Sequence, residues 1–338
     1  MRTLLKEITF IVLFLLSSCV REERLPNTPT GNFEELWKII DERYCFLEYK
    51  KIDWDGVYTE YKKHITDDMT DDELFNILGG MLNKLKDGHV SLYSDSEVTY
   101  YTYWFEGYSY NFSELLLMNY LGTKHHTEGS IRYTVFSENI GYMHCDNFSE
   151  TMNNERINMI LDYMSGCNGL IIDMRNNSGG SIGNAVLLAS HFTDTKVLTG
   201  YIQHKTGKGR NDFSAAKAIY IDPAIGVYWS KPVAVLCNRK TFSAGNYFVN
   251  IMRNFPQVTI VGDITGGGGG LPFTSELPNG WGVRFSTSPH FDADMNHIEF
   301  GIEPDYLISM TKQDEEKRLD SIIEKARLLL NHPTLFSK

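Results

Sequence analysis

The chain has 338 residues, of which 42% are hydrophobic and 22% charged, and its formal net charge is −11. This composition is typical of a globular protein with a sizeable core, organised as one large domain with a small accessory region. The acidic balance argues against an extended basic surface for phosphate backbones, so nucleic acid is not expected as a partner.

The N-terminus has the pattern of an export signal. Two basic residues precede an apolar run, Ile8 to Leu16, that is too short to span a bilayer. The run ends in LSSC, which resembles the lipobox of bacterial lipoproteins, where cleavage precedes a cysteine that is then acylated. We therefore expect a signal peptide at 1–18, a lipid anchor on Cys19 and a polar tether at 19–32. A plain secretory signal with an incidental cysteine is the alternative.

This reading of the N-terminus predicts a location in the bacterial cell envelope, with the protein lipid-anchored on the periplasmic or outer-surface side of a membrane. The remaining cysteines show neither a CxxC motif nor metal-ligand spacing, so we expect no metal and no cofactor. Cys237 lies in the apolar run VAVLC and is expected to be a buried small hydrophobe. Export makes a disulfide possible, but the sequence does not indicate which cysteines would pair. The other three cysteines are Cys45, Cys145 and Cys167.

Two helical patterns follow the tether. The stretches FEELWKIIDERY and TDDELFNILGGMLNKL repeat apolar residues every three or four positions, and the second begins with a Thr-Asp-Asp cap. We predict a small helical N-terminal region at 33–88. The aromatic sequence that follows, from 90 to 129, predicts a mixture of strand and loop.

From Ile131 onward, short apolar runs alternate with helical segments. The apolar runs are IGYMHCD, GLIIDMR, KPVAVLCN and VTIVGD, and the amphipathic segments between them include ERINMILDYM, NAVLLASHF and AGNYFVNIMRNF. This alternation predicts an α/β core at 89–310 with a partly parallel sheet and crossover helices. An amphipathic helix is predicted in the C-terminal segment, 311–338.

Three positions in this core have side chains or backbone groups that could take part in catalysis. Ser243 stands where a strand gives way to a helix, which suits a nucleophile with half an oxyanion hole, although helix caps are also serines. Gly179 and Gly180 follow the strand GLIID, where free backbone N–H groups could bind an oxyanion, although a tight turn also uses glycine. His89 follows a Gly turn and could be a general base, or simply a surface or capping residue.

In order and spacing these motifs resemble the S41 family of serine peptidases, which includes the tail-specific proteases and their tricorn-like relatives. The resemblance runs from about Leu74 to Leu307 and implies a crotonase-like α/β core and serine peptidase activity. It rests on five segments of this sequence: KDGHVS, LIIDMRNNSGG, KTFSAGNYF, IVGDITGGGGGLP and FGIEPDYLI.

The general base implied by the resemblance depends on the branch. The tail-specific branch uses a lysine at the position that is Gly268 here, so that base is missing. The tricorn-like branch uses a histidine and a glutamate, which implies His89 and Glu299. Two departures from that branch are the glycine at position 88, where relatives have serine, and the offset of Glu299 by one position, which leaves Glu303 as an alternative.

The resemblance implies acyl transfer by the serine. His89 would accept the serine proton and return it to the leaving amine, and Glu299 would orient the imidazole directly or through water. Backbone N–H groups of Ala244 and of Gly179 or Gly180 would bind the oxyanion.

The expected substrate is a peptide or an unfolded, exported protein. The segment 90–129 is too short for the PDZ domain of many relatives, so specificity must come from the cleft or the helical region. The glycine run 266–270 either pairs with an extended peptide or is a flexible loop before a hairpin that turns at Asn279-Gly280. A non-catalytic S41-like protein that binds a peptide, glycan or apolar ligand is the main alternative, and an esterase is a third.

Overall fold

The computed structural model describes residues 25–332. The predicted signal peptide at 1–18 and the predicted lipid anchor on Cys19 lie outside the described residues. The helices are Pro29–Arg43 (α1), Trp54–Lys62 (α2), Asp71–Asn83 (α3), Glu114–Leu121 (α4), Asn154–Tyr163 (α5), Ile182–Ser190 (α6), Ala244–Met252 (α7), Lys312–Glu316 (α8) and Ser321–Asn331 (α9). No helix within residues 25–332 is long and apolar enough to cross a membrane.

The strands follow the predicted alternation and form two sheets. Their bounds are Ser91–Tyr93 (β1), Val98–Tyr100 (β2), His126–Glu128 (β3), Ile131–Val135 (β4), Ile140–Cys145 (β5), Gly169–Asp173 (β6), Val197–Ile202 (β7), Lys217–Ile221 (β8), Val233–Cys237 (β9), Val258–Gly262 (β10), Gly270–Glu276 (β11), Gly282–Phe291 (β12) and Tyr306–Leu307 (β13).

A seven-stranded sheet forms the centre of the core, in the order β13-β10-β9-β6-β5-β4-β3. The strands from β13 to β5 are parallel, and β4 and β3 continue the sheet antiparallel. β5, β6, β9 and β10 are buried along their whole length. Helices α5, α6 and α7 cover one face, and α4 and α9 cover the other. The predicted α/β core with a partly parallel sheet is confirmed.

This sheet positions two of the predicted functional segments. β6 and β9 are parallel neighbours, so their carboxyl ends lie at the same edge of the sheet. The glycine pair follows β6, and the serine follows β9. Parallel pairing therefore brings the double glycine beside the predicted nucleophile.

The second sheet is antiparallel, with the order β2-β1-β12-β7-β8, and β11 pairs with β12. β11 and β12 form the predicted hairpin, and Gly280 in its turn has a φ of 89°. Val283 and Phe285 of β12 pack into a second hydrophobic core with α1, α2 and α3. The hairpin thus attaches the N-terminal helices to the rest of the molecule.

The N-terminal helical region is confirmed, and its helices begin at capping residues. Thr70 caps α3 in a capping box with Glu73, as the Thr-Asp-Asp pattern predicts. α1 begins at Pro29, ahead of the predicted start at Phe33, because the Thr28 hydroxyl accepts a hydrogen bond from Gly31 N at 3.1 Å.

The four cysteines within the described residues are buried and unpaired. Cys237 is buried in β9, as its apolar surroundings predict. Burial raises the pKa of this thiol, so it is a packing residue rather than a reactive thiolate.

A buried arginine joins the C-terminal helix to the central sheet. Arg175 follows β6, is fully buried, and forms ion pairs with Asp173 at 2.6 Å and Asp320 at 2.8 Å. Its guanidinium also donates to the backbone oxygen of Asn111. Asp320 in turn caps α9 by accepting from the backbone N–H groups of Ile322 and Ile323. One guanidinium therefore holds three separate segments together.

Replacing this guanidinium should destabilise the fold. Arg175→Met leaves two buried carboxylates without a countercharge, which is expected to lower the free energy of unfolding by about 3–5 kcal/mol. Urea unfolding followed by circular dichroism measures the change. The matched control is Lys84→Met, which breaks the exposed pair between Lys84 and Glu60 and should cost about 0–1 kcal/mol. Equal losses in the two variants would contradict this role of Arg175.

Candidate active site

Ser243 lies at the sharp turn between β9 and α7. Its φ of 55° and ψ of −120° fall in a region that non-glycine residues rarely adopt. The strain, typically about 1–3 kcal/mol, is maintained by surrounding contacts. Ser243 N donates to Gly267 O, and Tyr247 N donates to Ser243 O, both at 2.9 Å. The turn fixes the hydroxyl just outside the N-terminus of α7.

His89 reaches the serine from a part of the chain 154 residues away. Its Nε2 lies 2.9 Å from Ser243 Oγ. His89 N donates to Asp87 Oδ1 at 2.8 Å, which fixes the backbone beside the ring. The ring packs against Phe242 with a centroid separation of 4.8 Å. The structure therefore brings the predicted nucleophile and base into hydrogen-bond contact.

The imidazole of His89 is held as a neutral base. Burial lowers its pKa to about 4, although the Asp87 charge opposes the shift. Within the described part of the chain, Nδ1 of the ring is buried and has no hydrogen-bond partner. An imidazole in this environment is unprotonated at neutral pH, so Nε2 is free to accept the hydroxyl proton.

Two backbone N–H groups near the nucleophile are without an acceptor in the described part of the chain. Neither Ala244 N nor Gly180 N has a backbone or side-chain acceptor among residues 25–332. Gly179 N, by contrast, donates to Asn177 Oδ1 at 2.9 Å. A Cβ on Gly179 would lie 2.8 Å from Ser243 Cβ and 2.9 Å from Ala244 N, so the glycine turn directly contacts the serine turn. Of the two glycines predicted as alternatives, Gly180 has the free donor.

Glu299 lies beside the site in a cluster of three buried charges. Its Oε1 forms an ion pair with Lys50 Nζ at 2.6 Å, and its Oε2 accepts from Gly269 N at 2.8 Å. Lys50 also lies 3.3 Å from Asp87 Oδ2. No hydrogen bond joins Glu299 to His89 within the described residues. Of the two routes predicted for Glu299, direct or through water, the direct contact is not formed. Lys50 instead joins Glu299 to Asp87, which accepts a hydrogen bond from the backbone N of His89.

The alternative glutamate, Glu303, is exposed. Glu299 is only 6% exposed. The residue before it is fixed to α7, because Ile298 O accepts a hydrogen bond of 3.0 Å from Asn246 Nδ2. Of the two glutamates, Glu299 is therefore the one that is placed to affect the site.

The two carboxylates of the charge cluster have pKa values shifted in opposite directions. Burial raises the pKa of Glu299 to about 7, with a further contribution from the Asp87 charge that Lys50 partly offsets. Burial also acts to raise the pKa of Asp87, but Lys50, His89 and a hydrogen bond of 2.8 Å from Tyr44 Oη outweigh it and lower that pKa. Asp87 is thus the permanent anion next to His89.

The two unusual glycines in the sequence make room for this arrangement. A Cβ on Gly268 would lie 2.6 Å from the Phe242 ring and 3.1 Å from His89 Cε1. A side chain at the lysine position of the tail-specific branch would therefore collide with the Phe242 ring and crowd the histidine. A Cβ on Gly88 would lie 2.6 Å from Trp104 Nε1, so Trp104 fills the space of the serine that precedes the histidine in the tricorn-like branch.

A cleft of about 520 Å³ opens over the pair. Its walls come mainly from apolar and aromatic side chains and from the glycine run; they include Tyr100, Trp104, Phe105, Phe242, Tyr247, Leu271 and Ile298. Trp104 stacks on Phe242 at 4.2 Å between ring centroids, and Arg239 donates to Trp104 O at 2.6 Å.

Within residues 25–332, no group of three or more His, Cys, Asp or Glu side chains could hold a metal ion.

Comparisons with known proteins match this geometry to one family. The family model of peptidase family S41 matches residues 139–308, and that of the tricorn protease C1 domain matches residues 26–83. The first match covers half of the chain. The chain belongs to peptidase family S41. The S41 resemblance of the motifs is therefore confirmed, and α1 to α3 correspond to the tricorn C1 region.

Solved structures of S41 relatives share the fold. A crystal structure of a candidate peptidase from Parabacteroides merdae is 45% identical, covers 90% of this chain and 97% of its own, and superposes with a TM-score of 0.86. Mature CPAF in complex with lactacystin is 14% identical, with a TM-score of 0.70 over 90% of this chain and 99% of its own. The latter similarity supports the fold alone.

The chain also aligns with part of a longer curated relative. Carboxyl-terminal-processing peptidase 2 of Arabidopsis thaliana chloroplasts is 26% identical over 212 residues, which are 60% of this chain and 38% of the relative. The S41 chain described here thus spans well under half of that peptidase.

Several residues of the site were not predicted from the sequence. Asp87 lies within the quoted KDGHVS segment, so the Asp-x-His spacing could have indicated it. Lys50 and Tyr44 come from the N-terminal helical region, where nothing in the sequence marks them as buried. Trp104 lies in the aromatic segment, which has no periodicity. Arg284 lies on a strand in which apolar and polar residues alternate around it, so its sequence pattern does not mark it as a site residue.

Removing the central cation should destabilise the site more at alkaline pH. Lys50→Met leaves Asp87 and Glu299 buried with no countercharge, which raises the pKa of Glu299 further above its unfolded value and removes an interaction that lowers the pKa of Asp87. Stability from such a group is present below its unfolded pKa and is lost as pH rises through its folded pKa. We expect a loss of about 3–5 kcal/mol at pH 8 and a smaller loss at pH 5, measured by urea unfolding.

The matched control removes one carboxylate as well. Lys50→Met combined with Glu299→Gln restores charge balance and keeps an acceptor for Gly269 N, so it should recover much of the lost stability and flatten the pH dependence. A loss in Lys50→Met that is the same at pH 5 and pH 8 would contradict the charge-cluster account.

Proposed function

We propose that the protein is a serine-type endopeptidase that hydrolyses peptide bonds in exported or unfolded proteins. The observation that carries the proposal is the 2.9 Å contact between His89 Nε2 and Ser243 Oγ at a strained turn beside two free backbone donors. Membership of peptidase family S41 supports the reaction class.

Acylation follows from the positions of these groups. Ser243 Oγ forms a bond to the scissile carbonyl carbon while its proton moves to His89 Nε2. The negative charge on the carbonyl oxygen is stabilised by hydrogen bonds from Ala244 N and Gly180 N. The bond from carbon to nitrogen then breaks, and His89 returns the proton to the leaving amine. The product is an acyl ester on Ser243.

Deacylation repeats the same steps with water. His89 accepts a proton from water, whose oxygen attacks the ester carbonyl, and the proton passes to Ser243 Oγ as the ester bond breaks. In both steps His89 is cationic for a moment. The permanent anion at Asp87 stabilises this cation, since the Asp87 charge raises the pKa of the ring.

The shape of the cleft suits an extended peptide. β11 pairs only with β12 among the described strands, so its other edge is open, and it begins at Gly270 within the glycine run beside the nucleophile. Backbone groups on such an edge can pair with a substrate strand without reading its sequence. The glycine run itself is buried and hydrogen-bonded within the molecule, for example from Gly268 N to Glu299 O, so a substrate strand would pair with the β11 edge that follows it.

The non-catalytic alternative is less well supported. A binding protein has no need for a strained serine, a buried neutral histidine at 2.9 Å from it, or backbone N–H groups left without an acceptor beside it. An esterase would use the same groups, so peptide and ester substrates must be compared directly.

We also propose that the protein is lipid-anchored through Cys19 in the bacterial cell envelope, on the periplasmic or outer-surface side of a membrane. The support is the lipobox-like LSSC sequence after an apolar run of signal-peptide length. Two or more acyl chains on the cysteine would hold the domain stably at the membrane surface.

Labelling by a serine-reactive fluorophosphonate tests the nucleophile. We expect the wild-type protein to be labelled and Ser243→Ala to be unlabelled, because, of the two serines given as lining the cleft in the described part of the chain, Ser243 is the one in contact with a histidine. Ser178→Ala is the control, since Ser178 lines the same cleft without a histidine contact among the described residues. His89→Ala should lower peptide turnover by about 100-fold or more. Labelling that does not depend on Ser243 would refute the hydrolase proposal.

Fractionation of a bacterial host that secretes the protein tests the anchor. We expect the wild-type protein to sediment with membranes and dissolve in detergent, and Cys19→Ser to be released, because the acyl chains would be lost. Mass spectrometry of the mature N-terminus should show an acylated Cys19. An unmodified N-terminus on a membrane-free protein would contradict the anchor.

A further inference from the structure

One cation in the cleft has no role in the mechanism described above. Arg284 lies on β12, paired in register with Ser91 of β1 and Thr274 of β11. Its neighbours Val283 and Phe285 are fully buried in the N-terminal core. Because successive side chains of a strand point to opposite faces, Arg284 points away from that core and lines the cleft.

The guanidinium of Arg284 is exposed and unpaired. It takes part in none of the hydrogen bonds or ion pairs formed among residues 25–332. The buried guanidinium of Arg175, by contrast, has two carboxylate partners. An unpaired guanidinium has five free donors in a fixed planar arrangement, which suits a carboxylate.

The rest of the cleft lining is uncharged near neutral pH. Burial lowers the pKa of both His89 and His290 to about 4, and no carboxylate is among the lining residues described. The formal charge of the cleft wall is therefore that of Arg284 alone within the described residues. This is notable in a chain whose net charge is −11.

Arg284 also lies close to the base. Ser91, its partner on β1, is two residues after His89, and Ser286, two residues along β12, has its Oγ 3.5 Å from Asp87 Oδ2. A substrate group bound by Arg284 would thus lie near the scissile bond rather than at a distant end of the peptide.

We propose that Arg284 determines specificity by binding a carboxylate of the substrate peptide near the bond to be cleaved. The inference rests on the proposed peptidase function and adds a substrate class, acidic peptides. The carboxylate belongs to an Asp or Glu side chain or to a free C-terminus, both of which offer the same two oxygens.

Binding to the uncleaving variant Ser243→Ala tests this proposal independently of hydrolysis. The probes are fluorescein-labelled nonapeptides of Ala, Val and Phe with an amidated C-terminus, carrying Glu at each interior position in turn, and matched peptides with Gln. We expect at least one Glu peptide to bind about 10 to 100 times more tightly than its Gln partner. Fluorescence anisotropy at low and high salt measures the ratio, which should fall with salt.

The source of the carboxylate is distinguished in a second arm. A neutral nonapeptide is compared with a free and with an amidated C-terminus. A preference for the free acid alone assigns Arg284 to the chain terminus, and a preference for interior Glu assigns it to a side chain. Equal binding in both arms, or no binding by any peptide, would overturn the proposal.

Charge substitutions identify the residue responsible. Adding Arg284→Met should bring the ratio of acidic to neutral peptides close to one, and Arg284→Glu should reverse it in favour of Lys peptides. Arg43→Met is the control, because Arg43 donates to Ser275 on the opposite face of the same hairpin. A preference that survives Arg284→Met, or that Arg43→Met removes equally, would refute the assignment.

The outcome is separable from that of the proposed function. If the wild-type protein cleaves peptides without a carboxylate preference, the function stands and the role of Arg284 fails. If Ser243→Ala binds acidic peptides through Arg284 but the wild-type protein cleaves none of them, the role of Arg284 stands and the peptidase proposal fails.

Discussion

The hydrogen bond between Ser243 Oγ and His89 Nε2 joins two parts of the chain that are 154 residues apart. Each side needs its own support. The serine is held at a strained φ by the β9–α7 turn and by a hydrogen bond to Gly267 O. The histidine is held by Asp87, and Asp87 is held by Lys50 and Tyr44 from the N-terminal helical region. The small N-terminal region is therefore a part of the site and not a separate accessory.

Two glycines near His89 provide the space that its ring and the neighbouring aromatic rings occupy. Gly268 leaves room for the ring, and Gly88 leaves room for Trp104, which stacks on Phe242 beside the base. The same two glycines appear in the sequence as departures from the two branches of the family. In the folded chain both glycines lie beside the Phe242 ring, which packs against His89 and stacks on Trp104.

The predictable part of the structure follows from local patterns. The buried strands were predicted because parallel strands covered on both faces are continuous apolar runs. Ser243, His89 and the double glycine were predicted because short motifs with fixed spacing surround them. Lys50 could not be predicted, since a lysine in EYKK has the pattern of an exposed residue and its burial depends on carboxylates far along the chain. The direct form of the link predicted from Glu299 to the ring is not formed, because the Glu299 carboxylate pairs with Lys50 and accepts from Gly269 N.

The central claim is that a buried, neutral His89 is the proton acceptor for Ser243. The pH dependence of the rate of fluorophosphonate labelling, measured from pH 8 to pH 4 on the folded protein, tests it most directly. A base whose pKa is lowered to about 4 predicts a rate that stays nearly constant down to about pH 5 and falls only near pH 4, with the fall abolished in His89→Ala along with most of the rate. A rate that halves at the ordinary histidine pKa of about 6.5, or that is unaffected by His89→Ala, would contradict the account.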